Sequence, residues 1–80
     1  MSVTVLLFAS YADALGTSSL TMQLPVGATV ADVLAELRGR PGADRLPPTP
    51  LTAVNQRYAA ASRELSAGDE VAVIPPVAGG

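Results

Sequence analysis

The sequence predicts an α+β fold, in which a mixed β-sheet carries one main helix across one of its faces. Residues 3–9, 19–24 and 70–74 alternate with the period of two that is typical of half-buried strands. Residues 29–38 have apolar side chains at the spacing of an amphipathic helix with one apolar stripe. A single stripe indicates that the helix covers one sheet face only.

The first predicted strand spans residues 3–9 and shows which of its side chains face outward. Thr4 marks the outer face, which Leu6 and Phe8 then share because side chains alternate along a strand. The core-facing positions are Val3, Val5 and Leu7.

A connection or short helical turn is expected over residues 11–17, which include Asp13 and Gly16. The second strand follows over residues 19–24 and ends at Pro25, since proline cannot continue a hydrogen-bonded ladder. Its inward positions are Leu20, Met22 and Leu24.

The helix has clear signals at both ends. Thr29 is a suitable N-cap, Asp32 occupies the capping-box position, and Gly39 provides a stop. Residues 39–50 contain four prolines and two glycines, which predicts a loop over the surface. The apolar stripe consists of Val30, Val33, Leu34 and Leu37.

The last third of the chain contains two further strands and a short apolar piece. Residues 51–54 form a strand, Asn55 and Gln56 a turn, and residues 58–60 the short piece. Leu65 is expected in the core before a turn at residues 68–69. In the final strand, residues 70–74, the inward positions are Val71 and Val73, and the outward ones are Ala72 and Ile74.

This order of elements fits a β-grasp, or ubiquitin-like, fold formed by one domain over residues 1–80, with an extended tail over residues 75–80. The first and last strands lie side by side in that arrangement. Phe8 with Leu6, and Ile74 with Ala72, then form one apolar patch on the sheet face away from the helix. Contiguous apolar patches mark contact sites, although over half of any protein surface is apolar.

Composition argues against an enzyme acting alone. The 80 residues include no cysteine or histidine, and all five basic residues are arginines. This removes the usual general base, the thiolate ligands and nucleophiles, and Schiff-base chemistry. A net charge of −2 with scattered arginines argues against nucleic-acid binding. We expect no bound metal, no membrane span and no signal peptide, and therefore a cytoplasmic protein.

The C-terminus carries the strongest functional signal. Pro75 and Pro76 end the last strand, and the chain then finishes at Gly79-Gly80. Glycine has no Cβ, so such an end can pass through a channel too narrow for side chains. The C-terminal carboxyl of Gly80 is therefore the candidate reactive group, although two terminal glycines also arise by chance in about 1 of 200 chains.

Segments 53–56 and 65–80 closely resemble the MoaD/ThiS sulfur-carrier family, and segments 5–9 and 27–34 are similar to it as well. The specific part is Gly-Asp-Glu-Val at 68–71 followed by Pro-Pro-Val-Ala-Gly-Gly at 75–80. The double proline most resembles the molybdopterin synthase branch, since thiamine-pathway carriers usually lack it.

The resemblance implies that Gly80 is adenylated, converted to a thiocarboxylate, and inserted into the large catalytic subunit of molybdopterin synthase as a sulfur donor. A free α-carboxyl is a carboxylate at neutral pH and a poor electrophile, so a partner must activate it. The implied partners are that large subunit, in a heterotetramer, an E1-like adenylating enzyme that uses ATP, and a sulfur donor such as a cysteine desulfurase or rhodanese-like protein. No cofactor is implied for the chain itself.

By the same resemblance, the hydrophobic docking surface for both partners falls at Phe8, Tyr58 and Ile74, with Tyr58 in place of the expected aliphatic residue. Arg57 and Arg63 flank this region. The tail residues are Pro75, Pro76, Val77, Ala78 and Gly79.

Two other functions remain open. The chain is alternatively a sulfur carrier for thiamine, cysteine or tRNA thiolation, or a ubiquitin-like modifier. It is otherwise a non-catalytic binding module whose glycine tail is inert.

Overall fold

Five strands form one mixed sheet in the computed structural model, which describes residues 1–75. The sheet order is β2-β1-β5-β3-β4, with α1 after β1 and α2 after β2, and this confirms the α+β prediction. The strands are β1 (Ser2–Leu7), β2 (Ser19–Gln23), β3 (Leu51–Val54), β4 (Arg57–Tyr58) and β5 (Glu70–Ile74). The helices are α1 (Ala9–Leu15), α2 (Val30–Arg38) and a 3₁₀ turn (Ala43–Arg45).

The first and last strands lie side by side at the centre of the sheet, as predicted. They pair in parallel, with Val5 opposite Val71 and Leu6 opposite Ala72, whereas the other strand pairs are antiparallel. The predicted side-chain parity is confirmed in both strands. The buried residues on the helix side are Val3, Val5, Leu7, Val71 and Val73.

Helix α2 begins at the predicted capping box. The backbone N–H of Thr29 donates to Asp32 Oδ2 at 2.7 Å, so a donor at the helix start is satisfied. Val30, Val33 and Leu37 are fully buried in the core. Leu34, predicted as a fourth core residue, is only half-buried, because it lies at the margin of the apolar stripe.

Two segments are more ordered than predicted. Helix α1 covers residues 9–15, where a connection or short helical turn was expected over residues 11–17, and its Tyr11 is buried in the core. The first strand accordingly ends at Leu7 instead of residue 9. A seven-residue helix spans only two turns, which is too short for its apolar spacing to be distinctive.

The prediction that residues 39–50 form only a surface loop is wrong. Ala43 and Leu46 belong to the core, and the segment contains the 3₁₀ turn. Proline content predicts irregular backbone but does not show which side chains are buried. The Arg38 guanidinium fastens the segment to α2 by donating to the carbonyls of Leu46, Pro47 and Pro48.

No helix within residues 1–75 is long and apolar enough to cross a membrane.

Candidate functional site: an apolar patch at the base of the C-terminal tail

A shallow groove of about 380 Å³ lies on the sheet face opposite α2. Its lining defines what we call the outer patch. Six of the side chains are apolar or aromatic, and two are polar. The residues are Leu6, Phe8, Ala53, Gln56, Tyr58, Glu70, Ala72 and Ile74.

The central strand pair places Phe8 near Ile74. Leu6 lies opposite Ala72 in the parallel β1–β5 ladder, and the alternation of side chains puts both on the outer face. Phe8 follows β1 directly, with extended backbone at φ −114°, and its side chain is 45% exposed. The prediction that the outer residues of the first and last strands lie side by side is therefore confirmed.

Tyr58 reaches the outer patch from the sheet edge. It lies opposite Ala53 in the β3–β4 hairpin, and the residue is 75% exposed. The structure thus brings together Phe8, Tyr58 and Ile74, the three residues to which the family resemblance assigns docking. Large exposed aromatic side chains are enriched where proteins bind partners.

Sequence reasoning missed three of the groove residues. Ala53 follows from the pairing of β3 with β5, where it lies opposite Ala72. The turn at Gln56 and the outward direction of Glu70 were predicted, but neither residue was predicted to belong to the site. The pairing of β3 with β5, in which Val54 lies opposite Val71, brings the turn that contains Gln56 beside Glu70, and both residues line the groove.

Hydrogen bonds hold the turn beside the outer patch. The Asn55 amide donates to Asp69 Oδ1 at 2.9 Å, and the Glu70 N–H donates to Asn55 Oδ1 at 2.9 Å. The Ser66 N–H donates to Asp69 Oδ2 at 2.8 Å. Two of these bonds hold the pKa of Asp69 below its ordinary value, and the bond from the Ser66 N–H has a larger effect than the bond from Asn55. Desolvation by burial raises this pKa, and the positive charge of nearby Arg63 lowers it.

The two predicted flanking arginines do not line the groove. Arg57 lies in β4 and Arg63 in the segment before Leu65, and both are exposed. Glu70 is the only charged side chain among the outer-patch residues.

The tail begins where the outer patch ends. Ile74 lines the groove, and Pro75, which is half-buried, is the next residue of the chain. Gly80, the candidate reactive residue, lies outside the described residues, as do Pro76, Val77, Ala78 and Gly79. Any partner bound to the outer patch is therefore in contact with the strand that leads into the tail.

A second groove, of about 620 Å³, lies between α2 and the start of β3. Its lining is mostly small and apolar, and includes Ala31, Leu34 and Leu51. Arg38 is its one charged residue, and it is engaged with the loop carbonyls described above. Within residues 1–75, no group of three or more His, Cys, Asp or Glu side chains is placed to hold a metal ion.

Comparison with known sequences gives a consistent result. The model of the ThiS family matches residues 5–80. A molybdopterin synthase sulfur carrier subunit from Chlamydomonas reinhardtii is 37% identical over 83 residues, covering all of both chains. A protein of the same name from Arabidopsis thaliana is 33% identical over 81 residues, covering all of this chain and 84% of its own.

Solved structures show the same fold. The small archaeal modifier protein 1 of H. volcanii superimposes with a TM-score of 0.85 at 29% identity, covering 95% of this chain and 98% of its own. A putative molybdopterin converting factor, subunit 1, from Pyrococcus furiosus superimposes with a TM-score of 0.84 at 31% identity, covering 96% of this chain and 99% of its own. The β-grasp prediction is confirmed.

Proposed function

This chain belongs to the ThiS family, and we propose that it is the sulfur carrier subunit of a molybdopterin synthase. The observation that carries the proposal is the identity of 37% and 33%, along the whole chain, to two relatives of that name. The proposed role is that of a small non-enzymatic subunit that delivers sulfur to a larger catalytic one.

In this proposal the reactive group is the C-terminal carboxylate of Gly80. An E1-like partner transfers the adenylyl group of ATP to it and releases pyrophosphate, which converts a poor electrophile into an activated acyl group. The terminal sulfur of a persulfide on the donor, such as a cysteine desulfurase or rhodanese-like protein, then displaces AMP and forms an acyl disulfide. A thiol reductant cleaves that S–S bond and is itself oxidised to a disulfide, which leaves Gly80 as a thiocarboxylate. ATP is bound by the partner, and the carrier itself holds no cofactor.

The outer patch supports this role by its position. A partner that binds Phe8, Tyr58 and Ile74 lies against the strand that leads directly into the tail. Docking through a surface outside the reactive terminus would hold the tail at a fixed place in the partner, and such positioning lowers the entropic cost of reaction. We propose that the large subunit and the activating enzyme use this surface in turn.

The test is the intact mass of the protein after incubation with the activating enzyme, ATP and a sulfur donor. We expect a gain of about 16 Da, the difference between sulfur and oxygen, on a terminus that stays unmodified without ATP. A variant lacking Gly80 should fold normally and remain unmodified, because the carboxyl is displaced by a whole residue. Wild-type thiocarboxylate formation on that variant would overturn the mechanism.

A ubiquitin-like modifier is the second candidate, favoured by the similarity to small archaeal modifier protein 1. A modifier would form isopeptide bonds from Gly80 to lysines of other proteins, whereas a carrier would pass sulfur to the large subunit. Copurification of a large synthase subunit, with production of molybdopterin on mixing, supports the carrier. ATP-dependent conjugates in place of these would support the modifier.

A further inference from the structure

Gln56 occupies a turn position that suits glycine better than glutamine. It is the second of the two residues joining β3 to β4, where Asn55 has φ +50° and Gln56 has φ +70°. Positive φ at both positions is the geometry of a type I′ hairpin turn, in which glycine is strongly preferred at the second position. A residue with a Cβ is strained in this left-handed conformation.

The two turn residues differ in what their side chains do. Asn55 belongs to the residue types that tolerate a left-handed conformation, and its amide holds Asp69 and the Glu70 N–H within the fold. Gln56 is exposed and lines the outer patch instead. A strained residue that faces an interaction surface points to a role in binding.

Glu70 lines the same groove and is half-buried, with its backbone fixed against the turn by two hydrogen bonds. Its N–H donates to Asn55 Oδ1 at 2.9 Å, and its carbonyl accepts from the Asn55 N–H at 2.8 Å. The carboxylate can only accept hydrogen bonds, and the Gln56 amide offers a second acceptor through its oxygen. The groove therefore carries negative charge and acceptors on an otherwise apolar surface.

We propose that the polar part of the outer patch, Gln56 with Glu70, binds an arginine side chain of the large synthase subunit. This inference rests on the proposed function. A guanidinium presents several donors in one plane, which suits a groove lined by two acceptor side chains, and it also stacks on aromatic rings such as those of Phe8 and Tyr58. The groove volume of about 380 Å³ is many times the roughly 30 Å³ share of one water molecule, so a protruding side chain can enter.

The experiment measures binding of the large subunit to the intact carrier by calorimetry at low and at high salt. Glu70→Gln keeps the shape of the side chain and removes its charge. It should weaken binding by about tenfold or more at low salt and flatten the salt dependence. Glu64→Gln is the matched control, since Glu64 is exposed and lies outside the outer patch, and it should bind as the wild type does.

Gln56→Gly should move stability and affinity in opposite directions. Relief of the left-handed strain should raise the melting temperature by about 4–8 °C, while loss of the amide should weaken binding by about two- to tenfold. A purely structural role for Gln56 would leave the affinity unchanged.

The outcomes separate the two proposals. Normal binding by both Glu70→Gln and Gln56→Gly, next to a wild type that binds, overturns the arginine site and leaves the carrier function standing. A wild-type protein that binds no large subunit overturns both. A coupling between Glu70→Gln and replacement of one large-subunit arginine, in a double-mutant cycle, supports the site.

Discussion

The Asn55 amide lies 2.9 Å from Asp69 Oδ1 and thereby joins the β3–β4 turn to the turn that precedes β5. The same side chain accepts a hydrogen bond from the Glu70 N–H at 2.9 Å. Asn55 therefore fixes two chain reversals at the end of the outer patch where Gln56 and Glu70 lie.

Replacing Asn55 by glycine should destabilise the fold. Glycine accepts the positive φ of this position, so the loss reports the two side-chain hydrogen bonds, at about 0.5–1.5 kcal/mol each. Chemical denaturation should show a fall in the free energy of unfolding of about 1–3 kcal/mol. A glycine variant as stable as the wild type would mean that these bonds contribute nothing net.

Acid should remove part of this stabilisation. The pKa of Asp69 is lower in the folded protein than its ordinary value of 3.8, so the ionised form stabilises the fold above that pH. This contribution should disappear as the pH falls from 3.8 toward the lower folded pKa. Asp69→Asn should be less stable than the wild type at pH 7, and the difference should shrink below pH 3.8, as measured by urea unfolding at each pH.

Among the glycines within residues 1–75, Gly42 should tolerate substitution least. A Cβ there would lie 1.9 Å from the Ala14 carbonyl oxygen of α1, at φ +90°. Gly27 is a matched control, because it has the same φ of +90° with open space around it. Gly27→Ala should cost about 1–2 kcal/mol from backbone strain alone, and Gly42→Ala at least about 1 kcal/mol more. If urea unfolding shows that Gly27→Ala and Gly42→Ala lose equal stability, the loop that contains Gly42 can move away from α1.

Substitutions along the apolar stripe of α2 should differ in how much they lower the free energy of unfolding. Leu37 is completely buried, so Leu37→Ala should cost about 2–5 kcal/mol. Leu34 is half-buried beside the second groove, and Leu34→Ala should cost clearly less. Equilibrium unfolding of both variants provides the comparison. A larger loss of unfolding free energy for Leu34→Ala than for Leu37→Ala would contradict the packing described here.

A charge in the outer patch should affect binding more than folding. Phe8→Asp removes an aromatic side chain that is already 45% exposed, so stability should change by less than about 1 kcal/mol. Affinity for the large subunit should fall by tenfold or more, or about 1.4 kcal/mol. Val26→Asp is the control, because Val26 is 89% exposed and lies outside the patch. If both variants bind equally well, the docking surface lies elsewhere.

Most features that sequence reasoning predicted correctly depend on neighbouring residues, whereas the pairing of the first and last strands followed from the fit of the element order to a β-grasp fold. The capping box of Thr29 and Asp32, and the parity set by Thr4 and Glu70, involve short spacings that repeat regularly. Burial of Leu46 and the meeting of Gln56 with Glu70 depend on how distant segments pack. Single-sequence patterns carry no direct information about such long-range contacts.

The parallel pairing of β1 with β5 also bears on how the protein is made. Pairing between the two ends of a chain is slow to form and must wait until the last strand has left the ribosome. Phe8 is synthesised early but acquires its neighbour Ile74 only after nearly all of residues 1–75 have been made. The outer patch is therefore complete only once β5 has paired with β1, and a chain that stopped before Ile74 would lack it.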